Sequence, residues 1–363
     1  MLTKIECSMY IMIKIGGDLM VELGENILII QSPVFEQLSS MFIIQDYANK
    51  QTKRELNGEL QKWVDEKVRS IPQILKDELE VFFSQETFIG LSMIRYAYET
   101  NCYQSLEKFI QQIESDSAHH IFEHFLETGF TPTEVSDIHD FTEVRLFIKN
   151  TSLPENEKWK LTYLYVDIEN TKNRFISLMK QFYEFYFKTD LPYFLKKQQE
   201  NIDYLKGKQI FSTREKVGEA FPVIPSYVIE NKAMKLILSP SYFYDTSSLS
   251  SDSEQSFIYH YGINEYDSNT KNKMSQDDVL DAIKIVADEK RIRIIMLLNK
   301  APRYGYELAQ TLSLSNSTIS HHLSTLHSIG IVYSMRIENK VYYQLNKDKL
   351  KELMETLTKS LLE

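Results

Sequence analysis

The tightest constraint on this chain is a change of period near Gly330. Between residues 281 and 350 the apolar side chains first recur at helical spacing and then alternate. On the stretch 317–326, Ile319, Leu323 and Leu326 stand at i, i+4 and i+7. They share one stripe of a helix and are expected to face a core. The other side carries Ser317, His321 and Ser324, edged by Ser320 on one flank and by Thr318 and Thr325 on the other. His322 falls between the two faces and reads as a packing residue. A merely solvated face more often carries Lys and Glu, which favour helices more than Ser and Thr do. Small hydroxyls and an imidazole can bond to phosphate oxygens or to base edges. Upstream, Tyr306–Leu312 reads as a shorter helix, with a tight turn between the two.

Gly330 sits where a helix ends in a left-handed residue. Beyond it Ile331, Tyr333, Met335 and Ile337 alternate with Val332, Ser334, Arg336 and Glu338. Past Asn339-Lys340 the alternation resumes with Val341, Tyr343 and Leu345. Two alternating runs around a short polar turn predict a β-hairpin. A helix-turn-helix followed at once by a hairpin is a winged helix. Arg336, Asn339 and Lys340 mark the tip, placed to hold a phosphate backbone or reach the adjoining minor groove.

This stretch resembles the ArsR/SmtB family of bacterial winged-helix transcriptional regulators. Asp288–Ile295 matches the family's opening helix and Glu307-Leu308-Ala309 the next. Ser317–Leu323 matches its recognition helix, and Val341–Leu345 its second wing strand. The resemblance implies a repressor that reads double-stranded DNA. One recognition helix reads few base pairs, so a homodimer on a pseudo-palindromic operator is expected. Ser317, Ser320 and His321 are expected at base edges or nearby phosphates. Thr318 and Ser324 should lie close by, with Arg336, Asn339 and Lys340 on the backbone. In the family the first and last helices of the module form the dimer contact. Here those are Asp277–Ala287 and Lys347–Leu362, the latter with Leu350, Leu353, Leu357 and Leu361 as an apolar stripe. Two departures matter. Many members sense metals through cysteines beside the first helix of the helix-turn-helix, and Arg303–Leu308 has none. Others use Asp and His on the last helix, which here lacks His. No metal is expected at those places.

A net charge of −10 is unusual for a DNA reader until it is divided. Residues 275–363 hold twelve Lys and Arg against eleven Asp and Glu, for +1. The remainder holds 29 basic and 40 acidic residues, so the acid excess lies outside the winged helix. A module at +1 has modest non-specific affinity, a second reason to expect two half-sites. Cys7 and Cys102 form no metal spacing, which suits a reducing cytoplasm. No apolar run reaches the length of a membrane span. Met9–Ile15 is short and lacks a following small-residue cleavage site, so no signal peptide is expected.

The expected architecture is mainly α with a small β component: a large helical domain with a small sheet at 1–266, a polar linker at 267–276, and the winged helix at 277–363. Met9–Ile15 and Asn26–Gln31 read as strands with Gly16-Gly17-Asp18 as a turn. Ser32-Pro33 is a helix start, and helical spacing runs on to about Lys206, with Gly129 as a stop and Pro132 as a restart. Lys235–Pro240 and Ser256–Gly262 read as strands able to pair with the early ones, flanking a Ser- and Asp-rich loop. This arrangement resembles an uncharacterised N-terminal domain that precedes some ArsR-type winged helices in Gram-positive bacteria, a resemblance that brings no known activity.

Two features of this domain are candidate sites. His119, His120 and His124 cluster on one helix, and His120 and His124 have metal-seating spacing. A solvated polar face explains them better. Phe182–Phe187 is dense in rings and could line a pocket for a small apolar effector, although core packing is the commoner use. There is no Gly-x-Ser-x-Gly elbow, no P-loop and no dinucleotide fingerprint, so neither enzyme activity nor a cofactor is expected. The helical domain is therefore the expected place of signal input. The alternative is a protein-interaction module that the winged helix tethers to DNA. A large exposed apolar patch would favour it.

Overall fold

Apolar runs from two distant parts of the chain meet in one sheet. The computed structural model describes residues 11–15, 18–48, 56–84, 87–126, 135–151, 153–271, 276–315, 318–319, 322–323, 325–326, 329–337 and 340–362. It divides into two units, Met1–Tyr266 and Asp267–Glu363. In the first, β1 (Ile11–Ile15), β2 (Asp18–Leu23), β3 (Ile27–Ile29), β4 (Lys235–Ser241), β5 (Ser248–Asp252) and β6 (Ser256–Gly262) lie in the order β1-β2-β3-β4-β6-β5. β4 runs parallel to both β3 and β6, and the other pairs are antiparallel. Early and late strands therefore pair as expected, but β2 and β5 were not foreseen. The expected turn at Gly16-Gly17 lies outside the described residues, as do Gly129 and Pro132.

The central strands are covered on both faces, which explains their unbroken apolar runs. Leu236, Leu238, Phe257, Tyr259 and Tyr261 pack with Ile202, Leu205, Val217, Phe221 and Val228. On the other face Leu28, Ile237 and Ile258 meet the main helical core. Helix Pro33–Ala48 follows β3 and is buried around nearly its whole circumference. Against it pack Gly58–Ser70, Gln73–Phe82, Ile89–Glu99, Leu106–Ser115, Ile168–Phe182 and Leu191–Gly207, and Ala118–Leu126, Phe141–Asn150 and Glu155–Val166 pack on these helices or on one another. Side chains of Asn57, Ser105 and Asp140 accept the first free amides of their helices. Glu265–Lys271 is helical where composition reads as linker.

Each of the two N-terminal clusters is packed in part, while Phe185 stays 74% exposed. Tyr183–Phe187 forms a π-helical turn, with the Lys188 amide donating to the Tyr183 carbonyl at 2.9 Å. It turns Phe182 and Phe187 inward, and Phe187 meets Phe194 with centroids 5.6 Å apart. Of the histidines expected on a solvated face, His119 and His120 are partly exposed, and only His124 departs from it. His124 is buried with its ring 5.1 Å from Tyr96, and His120 Nδ1 is 2.7 Å from Asp116 Oδ2. Among the described residues no three His, Cys, Asp or Glu come together as a metal site.

Between helix Pro33–Ala48 and the sheet lies a polar layer. His260 Nε2 is 3.0 Å from Ser39 Oγ and Nδ1 is 3.1 Å from the Ser239 carbonyl. Burial pulls its pKa down to about 3. Glu36 accepts the Tyr242 amide at 2.7 Å, and burial pushes its carboxyl up to about 8. Such a carboxyl stays protonated in the fold while the unfolded chain has lost its proton. Stability is thus fully present below the unfolded value of 4.5 and is lost as pH climbs toward 8. Glu36→Gln removes that titration with little change of shape. Urea unfolding at about pH 5 and about pH 8 should show the wild type losing at least about 1 kcal/mol more than the variant. Both tryptophans, Trp63 and Trp159, lie in this unit, so their fluorescence reads it. Equal losses in the two proteins would refute the assignment.

Candidate nucleic-acid interface

The second unit is built from short-range signals. Asp288 caps helix Glu289–Lys300 by accepting the Arg291 amide at 3.0 Å, and the helix buries Ile294, Ile295 and Leu298. Helix Gly305–Leu312 buries Leu308 and Ala309 and ends at Ser313, whose φ of 54° is left-handed. The Leu314 amide returns to the Ala309 carbonyl at 3.0 Å. Ser315 then starts the next helical stretch: its Oγ accepts the Thr318 amide at 3.1 Å and lies 2.7 Å from Thr318 Oγ1.

In the stretch 318–326 the described residues Thr318, Ile319, His322, Leu323, Thr325 and Leu326 are helical. Ile319, Leu323 and Leu326 are fully buried, as their spacing predicts. His322 is buried too, 3.9 Å from Asp288, so it packs as read. Gly330 leaves this stretch with a φ of +71°, and the Ile331 amide donates to the Leu326 carbonyl at 3.1 Å. β8 (Val332–Ile337) and β9 (Lys340–Leu345) form the hairpin, with Ile337 opposite Lys340 and Arg336 opposite Val341. Arg336 and Lys340 thus stand at its closed end. Of the other residues assigned to DNA, Ser317, Ser320, His321, Ser324 and Asn339 lie outside the described residues. Thr318 Oγ1 is occupied at the cap.

Sequence reasoning missed a third strand. β7 (Arg303–Tyr304) pairs with β9, giving the order β7-β9-β8. It brings together Tyr304, Tyr306 and Tyr342: the first two stack at 6.4 Å and 7°, and the third meets Tyr304 edge-on at 5.8 Å. Two residues are too few to show alternation, and the cluster of Tyr near 304 was the only signal.

The last helix, Lys347–Leu362, packs along helix Gln276–Val286. The structure divides the leucine stripe. Leu353 is fully buried in the unit's own core, and Leu350 and Leu357 lie partly buried against it. Leu361 is 72% exposed, beside Leu362 at 81%, with Met354 and Leu280 also exposed. Lys351, Met354, Glu355, Thr358, Lys359 and Leu362 line a groove of about 490 Å³ there. Among the described residues no helix is long and apolar enough to cross a membrane.

Comparison with known proteins agrees with this geometry. The model of the bacterial regulatory protein arsR family matches residues 288–334. The arsenical resistance operon repressor of Staphylococcus aureus is 30% identical over 84 residues, covering 23% of this chain and 81% of that protein. The transcriptional activator HlyU of Vibrio cholerae serotype O1 is 36% identical over 76 residues, 21% of this chain and 69% of HlyU. The cadmium resistance transcriptional regulatory protein CadC of Listeria innocua serovar 6a is 33% identical over 89 residues, 23% and 75% of the two chains.

Among the described residues a Cβ at Gly330 would meet only Lys349 Cγ, at 3.8 Å, so a substitution there tests backbone conformation. Gly330→Ala should cost about 1 kcal/mol, the usual cost of a left-handed Ala. Hydrogen exchange at the Ile331 amide should quicken accordingly. Unchanged exchange would show that the helix exit does not depend on this residue.

Proposed function

The chain belongs, through its C-terminal unit, to the arsR family of bacterial regulatory proteins, and on that premise we propose that it is a repressor acting in the cytoplasm as a homodimer on a pseudo-palindromic operator. The N-terminal unit is the place of signal input. The observation that carries the DNA-reading assignment is the burial of Ile319, Leu323 and Leu326. It fixes the inner stripe of the helical stretch, and at helical spacing Ser317, Ser320, His321 and Ser324 belong to its remaining faces. Arg336, Asn339 and Lys340 supply the backbone contacts at the hairpin end. The exposed Leu280, Met354, Leu361 and Leu362 are the apolar surface for the partner protomer, with Leu350 and Leu357 at its edge.

The test is binding to the DNA upstream of the chain's own gene at two salt concentrations. Binding should be sequence-specific and weaken as salt rises. His321→Ala should weaken it about tenfold, the usual value of one base contact. Binding indifferent to salt and to His321 would remove the reading. Leu361→Asp should shift the chain from dimer toward monomer in sedimentation, with operator affinity falling in step. A variant that stays dimeric would move the interface elsewhere.

One observation favours the second reading, a protein-interaction module held on DNA. Trp159, Tyr163 and Val166 are 72%, 69% and 67% exposed and stand at i, i+4 and i+7 of helix Glu155–Val166. Such a stripe is a common mark of a protein contact. On this reading Trp159→Ala keeps operator affinity in vitro but loses regulation of a reporter gene in cells. Retained regulation would exclude it.

A further inference from the structure

A cleft of about 750 Å³ opens in the N-terminal unit where β4 and β6 begin. Leu28 is among its apolar lining. Tyr98 and Tyr103 also line it, with rings stacked at 6.0 Å and 29°. The turn carrying Ser253, Glu254 and Ser256 lines it too, and that turn is held firmly. The buried Arg95 guanidinium donates to the hydroxyls of Ser251 at 2.9 Å, Ser253 at 3.0 Å and Ser256 at 2.8 Å, and also to the Ser251 carbonyl. Three charged side chains belong to the lining: Glu99, Lys235 and Glu254. Glu99 is already engaged, 3.6 Å from Arg95. Lys235 and Glu254 form no ion pair among the described residues, although their backbones are tied together by the Lys235 amide donating to the Gln255 carbonyl at 2.9 Å.

The cleft thus offers the half-buried Tyr98 ring, backed by the buried Tyr103 ring, with one available ammonium and one available carboxylate, all on anchored backbone. Its size is that of a site for a small organic ligand. A ligand with a single charge would satisfy one rim group and leave the other facing it. We propose that this cleft binds a small zwitterion with a flat apolar body, of the class of the aromatic amino acids, as the effector of the regulator. The ligand's ring lies along Tyr98, its carboxylate meets Lys235 and its ammonium meets Glu254. The effector role rests on the reading of this unit as the place of signal input; the binding itself does not. The rim charges are wet, so each contact contributes only a few-fold in affinity, and the stacked rings supply much of the remainder.

The experiment is calorimetric titration of the full chain with L-tryptophan, tryptamine and indole-3-propionate, which share one ring system and differ in charge. Tryptophan should bind about fivefold more tightly than either analogue, as expected for an exposed charge contact. Lys235→Met should make tryptophan and tryptamine equivalent. Glu254→Gln should make tryptophan and indole-3-propionate equivalent, and Tyr98→Leu should weaken all three. Circular dichroism of each variant confirms that the fold is kept. Equal affinities for the three compounds, no binding at millimolar concentration, or variants that bind as the wild type does would each overturn the site. The same ligand is then added to the protein on its operator. Tryptophan that binds the cleft but leaves operator affinity unchanged removes the effector role and keeps the site. A chain that never binds DNA removes the regulator reading and leaves the titration result standing.

Discussion

The N-terminal unit depends on one buried guanidinium. Arg214 has no exposed surface and gathers backbone carbonyls from two separate parts of the chain. Its Nε donates to the Glu25 carbonyl at 2.8 Å, and its terminal nitrogens reach the carbonyls of Val228, Asn231 and Met234. Its own amide donates to Glu25 Oε2 at 3.0 Å. Glu25 lies in the turn before β3, and Met234 is the residue before β4. One side chain therefore sets the entry points of two parallel strands. Burial works against its charge and lowers its pKa, while Glu25 pulls the other way. A buried cation is tolerated when its donors are satisfied, and removing it would strand several carbonyls in the core.

From those entry points the rest of the sheet follows. With β3 and β4 in register, Ser239 and His260 come to face helix Pro33–Ala48, and a polar layer sits where aliphatic packing would be expected. The layer keeps an imidazole neutral and a carboxyl protonated at ordinary pH. Glu265 is a second such carboxyl, pushed up to about 8 by burial. These groups specify alignment more than they add stability, since each carries a desolvation cost that an apolar side chain would not.

What the sequence made legible was local. The stripe of Ile319, Leu323 and Leu326, the exit at Gly330 and the alternation beyond it each need only a few neighbouring residues, and each is found. What it hid depends on distant partners. Ser248–Asp252 becomes a strand because Arg95, far away in sequence, ties down Ser251. His124 is buried because Tyr96 stands against it. The leucines of the last helix show a further limit. Spacing finds an apolar stripe but cannot tell a face that meets its own unit, as at Leu353, from one left open, as at Leu361. The side chains expected at DNA follow from polarity, helical spacing and resemblance, and only Thr318 of the helical set is described, at the cap.

The parallel pairing of β3 with β4 also sets a timetable for synthesis. Asn26 bonds to a residue 206 positions later. At ribosomal speeds of about 5–20 residues per second, β3 waits roughly 10 to 40 s for its partner. Through that interval the apolar strand Ile27–Ile29 has only β2 beside it. The nascent chain must shelter this edge within its early helices or with a chaperone. The winged helix carries no such delay, since its pairings close within a few dozen residues of one another. A ribosome making this chain thus adds a quickly completed unit behind a slowly assembled one.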